Sequence, residues 1–346
     1  MNVLFRLQAF FSPLGHYASF FFAYLFETIF MLIFATVVFV AMIYIFRKYM
    51  ARLQLRIGPN RVGKFGTLQL IADSLKLIGK ESILPKLRDD MAYKIAPIIV
   101  FIGLISAFAI VPYGDFYWIG SLTITHSQVT LILLFAVIAI MPIGEVLAGL
   151  ASHNKYAILG ALRGVAKDVS FEVPMMITAV ALVMMASARV PDPLSISGIV
   201  SAEFIPYGIP QILGLGVFFI AMIARSSYTP FDMAESDSEL VSGHTTEYSG
   251  MRFGIFYIGL FGSIFLGSMI VSLLYLGGYN GPGSSDAGFI YLLIKSFILV
   301  LIAFTVWLSM PRIRIDRFIN MGWKYLLPVA FVNLIIAGFL TLGWSL

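Results

Sequence analysis

The sequence has no cysteine among its 346 residues. This absence excludes disulfides, thiolate-ligated iron–sulfur clusters and cysteine-based zinc sites. The histidines lack the spacing of a metal site, and the chain contains no P-loop, dinucleotide-binding fingerprint or nucleophile elbow. The sequence therefore predicts no metal site, no cofactor bound by this chain alone and no directly catalytic residue.

Charged residues are also scarce, at 12% of the chain, whereas apolar residues make up 60% and the mean hydropathy is +0.93. A soluble domain contains about 25% charged residues. Lipid offers backbone groups no water partner, so helices are the structures that satisfy them internally. The composition predicts an all-α membrane protein with one membrane domain over residues 1–346, and it does not favour nucleic-acid binding.

Eight apolar stretches approach or exceed the roughly 20 residues that cross a bilayer. They are Phe20–Phe46, Ile95–Val111, Val129–Leu150, Tyr156–Ser187, Ile209–Ala224, Phe253–Tyr275, Phe289–Met310 and Tyr325–Trp344. Eighteen of the 23 Lys and Arg residues fall in loops on one side, against Arg6 and Arg189 on the other. Because cytoplasmic loops carry the excess of Lys and Arg, we expect a multi-pass protein of the cell membrane with both termini on the outer side.

One segment within residues 51–91 does not span the membrane. A turn rich in Gly, Pro and Arg, GPNRVGKFG, precedes the helical stretch TLQLIADSLKLIGKE. One stripe of this helix is apolar and another is polar: Leu68, Ile71, Leu75 and Ile78, against Gln69, Asp73, Lys76 and Lys80. The pattern predicts an amphipathic helix along the cytoplasmic interface. Adhesion to the membrane explains the stripe, whereas the elaborate turn favours a further role.

Residues 225–253 form a long acidic loop, RSSYTPFDMAESDSELVSGHTTEYSGMRF. It holds five of the chain's 18 acids: Asp232, Glu235, Asp237, Glu239 and Glu247. Carboxylates wedged between membrane spans are costly to place, and like charges four residues apart on a helix repel. Proton or ion handling is one interpretation of this loop. A solvated acidic loop is the alternative that composition leaves open.

Ionisable side chains also enter the predicted spans. The fourth span carries Arg163, Lys167, Asp168 and Glu172, and the third carries Glu145 beside a helix-disrupting Pro-Ile-Gly. A charge at the centre of a membrane helix costs at least about 2.5–3.5 kcal/mol. We therefore expect these side chains to face the interior of the bundle and to pair or to change protonation. For Glu145 and Glu172, their depth favours a functional role over a structural one.

Three blocks together resemble the H-subunit family of respiratory complex I, the proton-pumping NADH:quinone oxidoreductase. They are RIGPNRVGKFGTLQLIADSLKLIGKE, HNKYAILGALRGVAKDVSFEVP and PFDMAESDSELVSGHTTEYSGMRF. The blocks occur in the family's order, and the resemblance covers essentially the whole chain with its eight spans. It implies a subunit without a redox centre that anchors the electron-transfer arm, forms part of the quinone chamber and couples quinone reduction to proton pumping.

The resemblance also implies roles for individual residues. The implied chamber residues are Arg61, Gln69, Asp73, Lys76, Phe231 and Asp232. The implied proton-coupling residues are Glu145, Arg163, Lys167, Asp168, Glu172, Glu235, Asp237, Glu239 and Glu247. The implied substrate is a quinone (ubiquinone, menaquinone or a phenazine analogue). The implied partners are the iron–sulfur and quinone-site subunits of the arm, small membrane subunits and antiporter-like subunits.

Several positions depart from the family pattern. Ser227, Tyr228 and Thr229 stand where the family usually has Asn-Arg-Ala. Lys167, which is followed by Asp168, stands where a glutamine is usual. Leu260 and Asp237 each stand where a glutamate is usual. These changes touch the quinone headgroup region and leave the electron donor and acceptor open. A divergent, archaeal-type relative fed by deazaflavin or ferredoxin, or a subunit of a membrane-bound hydrogenase complex, fits as well.

Two further function classes are alternatives to this interpretation. A stand-alone ion transporter would explain buried charges, but it predicts paired repeats and broken helices in both halves, and the sequence shows neither. A purely structural anchor, in which the acids make docking salt bridges, would produce the same acidic pattern. Variants that assemble normally but lose turnover would separate chemistry from anchoring.

Overall fold

The structure is a computed structural model that describes residues 16–116, 120–121, 125, 127–203, 206–282 and 287–345. Arg6, one of the two basic residues predicted on the outer side, lies outside these residues. The backbone of Asp237 is described, but its side chain is not.

Helices dominate the described chain, which confirms the all-α membrane fold. They are α1 His16–Leu53, α2 Gln69–Gly79, α3 Asp90–Ile110, α4 Thr130–Ile138, α5 Ile140–Ala151, α6 Lys155–Ser187, α7 Ile196–Ala202, α8 Ile212–Arg225, α9 Asp237–Leu240, α10 Met251–Tyr275, α11 Gly288–Ser309, α12 Ile315–Asn320 and α13 Leu327–Ser345. A π-helical turn, Met321–Leu326, joins the last two, and 3₁₀ turns occupy Lys64–Gly66 and Gly243–Thr245. Strands β1, Asp115–Phe116, and β2, Gly120–Ser121, form one short antiparallel pair.

Within the described ranges, seven helical segments are long and apolar enough to cross a membrane, counting α4 with α5 and α12 with α13. The fifth predicted span is the shorter helix α8, with 14 residues. At 1.5 Å per residue it extends about 21 Å, less than the roughly 30 Å of the hydrocarbon layer. Pro210 disfavours helical backbone at Ile209, so α8 begins at Ile212 rather than at the predicted Ile209.

Small residues let the central helices approach closely. A Cβ atom built on Gly144 would lie 3.0 Å from the Ala96 carbonyl oxygen, and one built on Gly149 would lie 2.6 Å from the Ala157 carbonyl oxygen. These contacts bring α3, α5 and α6 together in the manner common to membrane helices. Helix α10 lies at the centre of the bundle, with most of its apolar residues buried.

The loops that were predicted to share one side meet at one face of the bundle. The Ile83 amide donates to Ser249 Oγ at 2.9 Å, which joins the segment after α2 to the acidic loop. Asn154, before α6, donates to Glu247 at 2.7 Å, and Arg312, before α12, donates to Asp232 at 2.8 Å. The acidic loop, the segment after α2 and the residues before α6 and α12 therefore lie together at this face.

The amphipathic helix forms at α2, and the carboxylate of its polar stripe turns inward. Asp73 bonds to Arg47 of α1. The apolar stripe is exposed instead, with Leu75 63% and Ile78 65% accessible. Lys76 extends outward, its side chain 75% accessible. The helix thus presents its apolar stripe to the surroundings of the bundle and its carboxylate to α1.

Candidate functional site

The acidic loop is pressed onto α6 by an unusual turn. Val241, Ser242 and Gly243 have φ values of 52°, 75° and 54°, the left-handed region that side chains disfavour. A Cβ on Gly243 would lie 1.7 Å from the Ala234 carbonyl oxygen, and a Cβ on Gly160 of α6 would lie 2.7 Å from the Gly243 Cα. Only glycine fits at this crossing, and the turn buries the residue that follows it.

Two tyrosines fasten the end of the acidic loop to α3. The rings of Tyr93 and Tyr248 stack with centroids 4.2 Å apart and planes 4° apart. The Tyr93 hydroxyl donates to the Glu247 carbonyl oxygen at 2.7 Å, and the Tyr248 hydroxyl donates to the Tyr93 carbonyl oxygen at 3.2 Å. Pro97 has no N–H, so it leaves that Tyr93 carbonyl without its helical donor. The loop supplies the missing hydrogen bond.

Glu247 is held at the first turn of α6. Asn154 caps this helix by accepting from the Tyr156 amide at 3.0 Å, and its side-chain amide donates to Glu247 Oε1 at 2.7 Å. One asparagine therefore both starts the helix and fixes a predicted coupling residue.

The other described acids of the loop pair with different parts of the chain. Arg163 Nη1 of α6 lies 2.5 Å from Glu239 Oε2, and Arg312 Nη2 lies 2.8 Å from Asp232 Oδ2. His244 Nε2 lies 3.8 Å from Glu235 Oε1. The side chains of Asp232 and Glu235 are only 22% and 21% exposed, whereas that of Glu239 is 53% exposed. Glu239 is therefore partly solvated as well as paired, whereas Asp232 and Glu235 are largely buried.

Lys167 and Asp168 form a buried pair within α6. Their side chains are 2% and 6% exposed, and Nζ lies 3.5 Å from Oδ1. The Lys167 ammonium also donates to Ser227 Oγ and, at 3.4 Å, to the Arg225 carbonyl oxygen. Two positions that depart from the family pattern, Lys167 and Ser227, are therefore in direct contact. As expected, these charges face the interior and pair.

Arg225, at the end of α8, connects two other membrane helices. Its Nη2 donates to the Ile138 carbonyl oxygen at 2.5 Å, and its Nη1 lies 3.9 Å from Glu172 Oε1. Pro142 cannot donate to Ile138, the residue four positions before it. The guanidinium replaces that donor and also neutralises a carboxylate of α6.

A small polar cavity brings membrane and loop residues together. Its volume is about 30 Å³, and its polar walls include Glu145, Asp168, Arg225, Glu235 and His244. A polar cavity of this size holds about one or two water molecules. The acidic loop and the charged half of α6 thus share one polar space.

A larger cavity lies beside it, with a volume of about 290 Å³. Its walls are mainly aromatic and include Phe46, Tyr228, Tyr257, Phe261 and Trp307. Trp307 stacks on Phe46 at 4.0 Å and contacts Tyr228 at 3.8 Å between ring centroids. The Tyr228 hydroxyl is buried without a hydrogen-bond partner among the described residues, and burial raises its pKa well above the usual range.

The two cavities share part of their walls. Residues that line both are Ser227, Glu235, Phe256 and Leu260. Glu235 is the carboxylate among them. Asp232 lines only the larger cavity.

The predicted chamber residues on α2 lie next to the larger cavity rather than on its walls. Asp73 bonds to Arg47, accepts from Gln69 at 3.0 Å and lies 3.9 Å from Lys76. Burial opposes ionisation of Asp73, but these hydrogen bonds and cations outweigh it, so its pKa is lowered. Arg47 also interacts with Tyr257, a wall residue. Arg61 is exposed on the preceding turn.

Phe231, another predicted chamber residue, does not line either cavity. It is 5% exposed and packs against Phe171 and Phe318, at 5.7 Å and 5.2 Å between ring centroids. Sequence reasoning missed Tyr257, Trp307 and His244, which do line the cavities. Aromatic residues in apolar helices give the same pattern whether they face lipid or a cavity, and a lone histidine carries no spacing signal.

Comparison with known proteins identifies relatives over most of the chain. A family model described as NADH dehydrogenase matches residues 26–338. The chain is 37% identical over 299 residues to the H subunit of the NADH-quinone oxidoreductase from Dehalococcoides mccartyi strain 195 and to its counterpart in strain CBDB1. Each alignment covers 86% of this chain and 81% of the relative.

Proposed function

Since the chain belongs to the NADH dehydrogenase family, we propose that it is the quinone-site membrane subunit of a proton-translocating NADH:quinone oxidoreductase. In this role it forms part of the quinone-binding chamber, anchors the electron-transfer arm and couples quinone reduction to proton pumping. The observation that carries the proposal is Glu235, which lines both the aromatic cavity and the polar cavity. A charge change in one cavity acts directly on the other.

The larger cavity suits an aromatic ring that accepts electrons. Its aromatic walls offer stacked contacts, and the Tyr228 hydroxyl, which has no hydrogen-bond partner among the described residues, is available to a carbonyl oxygen of the acceptor. Its raised pKa keeps this hydroxyl protonated, so it donates a hydrogen bond rather than a proton. The substrate we propose is a quinone or a phenazine analogue, with Asp232 and Glu235 at the polar part of the wall.

Coupling follows from the chemistry of reduction. A reduced quinone takes up protons or carries negative charge, and in surroundings of low dielectric constant that charge acts strongly on nearby carboxylates. Asp232 and Glu235 are the carboxylates on the wall of the larger cavity, and Glu235 also lines the polar cavity. The polar cavity extends the effect to Asp168 and Glu145, and Arg225 extends it to Glu172.

The electrons come from partner subunits, because this chain has no cysteine to hold an iron–sulfur cluster. We propose that the arm's iron–sulfur and quinone-site subunits dock on the face where the basic loops and the acidic loop meet, and that this face is cytoplasmic. Small membrane subunits and antiporter-like subunits flank the bundle and carry the charge displacement onward. Both termini then lie on the outer side of the cell membrane.

A related role, in a complex fed by deazaflavin or ferredoxin or in a membrane-bound hydrogenase, is favoured by one specific observation. Ser227, Tyr228 and Leu260, which depart from the family pattern, all line the larger cavity. Lys167, which departs as well, bonds to Ser227. These changes alter the side chains that surround the acceptor in the larger cavity.

Purification in mild detergent tests the assembly. Iron–sulfur and antiporter-like subunits that co-purify with this chain support the complex, and an electron donor supplied to it (NADH, reduced deazaflavin or ferredoxin) identifies the donor module. A lone chain that moves ions by itself contradicts the proposal.

Glu239→Gln tests the coupling in the reconstituted complex. Loss of the carboxylate opposite Arg163 disturbs the loop, and we expect proton translocation to fall at least about fivefold. The control is Asp316→Asn, which removes an exposed carboxylate that pairs with Arg314 on the same face. Full electron transfer and full pumping in Glu239→Gln would remove the pair of Arg163 and Glu239 from the coupling scheme.

A further inference from the structure

His244 is buried between the acidic loop and the ionisable residues of the membrane helices. Its side chain is 2% exposed, and one ring nitrogen, Nε2, lies 3.8 Å from Glu235 Oε1. The other, Nδ1, is buried without a hydrogen-bond partner among the described residues. The ring lines the small polar cavity together with Asp168 and Glu145.

The surrounding chain holds this ring in one orientation. The left-handed turn before His244 presses it against α6, and the ring of Phe256 on α10 contacts it edge-on, with centroids 5.4 Å apart and planes at 75°. A buried polar nitrogen without a partner is costly, and an apolar ring of similar shape would avoid that cost. Water in the polar cavity can serve the nitrogen, and this water also reaches the carboxyl groups that share the cavity.

Burial keeps the His244 imidazole neutral. Together with the nearby Lys167, and against the opposing effect of Asp168, it lowers the pKa of this ring to about 4. Glu235 approaches from the loop, while Glu145 from α5 and Arg225 from α8 line the same cavity. A neutral imidazole has one N–H donor and one lone pair. It can therefore accept a proton on one nitrogen while it gives up a proton from the other.

We propose that His244 is a proton-relay residue that carries protons between the small polar cavity, lined by Asp168 and Glu145, and Glu235 of the acidic loop. The proposal rests on the function proposed above. In each transfer, Nε2 gives its proton to the ionised Glu235 carboxylate through a water that bridges the 3.8 Å between them, and Nδ1 takes a proton that a protonated carboxyl group of the cavity supplies through water. The ring stays neutral, and the negative charge passes from Glu235 to that group. Water of the small polar cavity then takes the proton from Nδ1 and supplies one to Nε2, which returns the ring to its first tautomer.

His244→Gln and His244→Ala test the relay in the assembled complex reconstituted into vesicles. Glutamine keeps hydrogen-bonding capacity but does not take up a proton at neutral pH, so we expect protons translocated per electron to fall about tenfold or more. In His244→Ala, added imidazole enters the vacated space and restores the ratio. His153→Gln is the matched control, because His153 is exposed on the same face, and it retains the ratio of the unaltered complex.

The outcomes separate the relay from the function on which it rests. A complex with unaltered sequence that reduces its acceptor without moving protons overturns the proposed coupling and the relay together. A coupled complex whose His244→Gln variant retains the full ratio overturns the relay alone. If the glutamine variant does not assemble, His244→Ala decides: a defect that imidazole does not correct shows a structural role and overturns the relay.

Discussion

Arg225 donates a hydrogen bond at 2.5 Å to the Ile138 carbonyl oxygen, the acceptor that Pro142 leaves without its helical donor. The Tyr248 hydroxyl serves the Tyr93 carbonyl, which Pro97 leaves free, in the same way. In both places a proline within a membrane helix creates a polar backbone site that a distant side chain occupies. These prolines thereby tie α8 and the acidic loop to the bundle.

Arg225→Gln removes a guanidinium that serves both the Ile138 carbonyl and Glu172. We expect it to lower the free energy of unfolding by about 3–5 kcal/mol, the usual cost of leaving a buried charge without its partner. In the double variant with Pro142→Ala, the new N–H of residue 142 bonds to Ile138, so about 1 kcal/mol of the loss is recovered. The single Pro142→Ala variant completes the double-mutant cycle, which measures the interaction between the two sites.

Thiol labelling measures this loss, because the chain has no cysteine of its own. Ser272→Cys introduces a near-isosteric buried thiol on α10. The amount of label bound to this thiol then reports how often the subunit unfolds locally within the whole complex. Strictly additive effects of the two substitutions would contradict the link between Pro142 and Arg225.

Lys167→Met tests the buried ion pair. It leaves Asp168 without its cation in a site that is 6% exposed, and we expect a loss of about 3–5 kcal/mol in the free energy of unfolding. Adding Asp168→Asn removes the uncompensated charge and recovers part of the loss. Lys76→Met is the control, because that side chain is 75% exposed, and it changes stability by less than about 0.5 kcal/mol. Equal effects at the two lysines would contradict the pairing.

Tyr228→Phe separates acceptor binding from stability. The hydroxyl has no hydrogen-bond partner among the described residues, so its removal leaves stability unchanged or raises it. Loss of one hydrogen bond to the acceptor costs about 0.5–1.5 kcal/mol, which raises the acceptor KM roughly two- to tenfold. Steady-state kinetics with a quinone series measures the change. Tyr49→Phe, which loses a bond to Thr305 Oγ1, is the control; an unchanged KM at Tyr228 would contradict its contact with the acceptor.

The fold was largely predictable because each membrane span is recognised from the hydropathy of its own residues, and the side of each loop from its basic residues. The family and the all-α membrane fold are confirmed, and the start of α8 differs by three residues from its prediction because Pro210 precedes it. The amphipathic stripe of α2 was also readable, but not that Asp73 turns toward α1. The direction a polar face takes depends on its tertiary partner, here Arg47.

The candidate site was only partly predictable. Asp232, Glu235 and the charged residues of α6 stood out because charge is rare in this chain. Phe231 was expected at the chamber; it lines neither of the two cavities and packs against Phe171 and Phe318. Contacts such as Tyr248 with Tyr93 join residues 155 positions apart, and no local pattern encodes such pairings. The functional roles of the site residues stay predictions.

The stability of the protein in acid also depends on His244. Burial and the nearby Lys167 lower its folded pKa to about 4, against the opposing effect of Asp168, whereas an unfolded histidine titrates near about 6.5. Between these values the unfolded state binds a proton that the folded state does not, so stability falls as the pH falls. The loss reaches about 3 kcal/mol near pH 4. His244→Phe abolishes this contribution, and His153→Gln, at an exposed position, retains it. Hydrogen exchange of residues 241–250 in the complex at pH 7, 5.5 and 4, compared between variants at each pH, measures the difference. A His244→Phe variant that loses protection with acid as steeply as the unaltered chain would show that this imidazole is not held neutral.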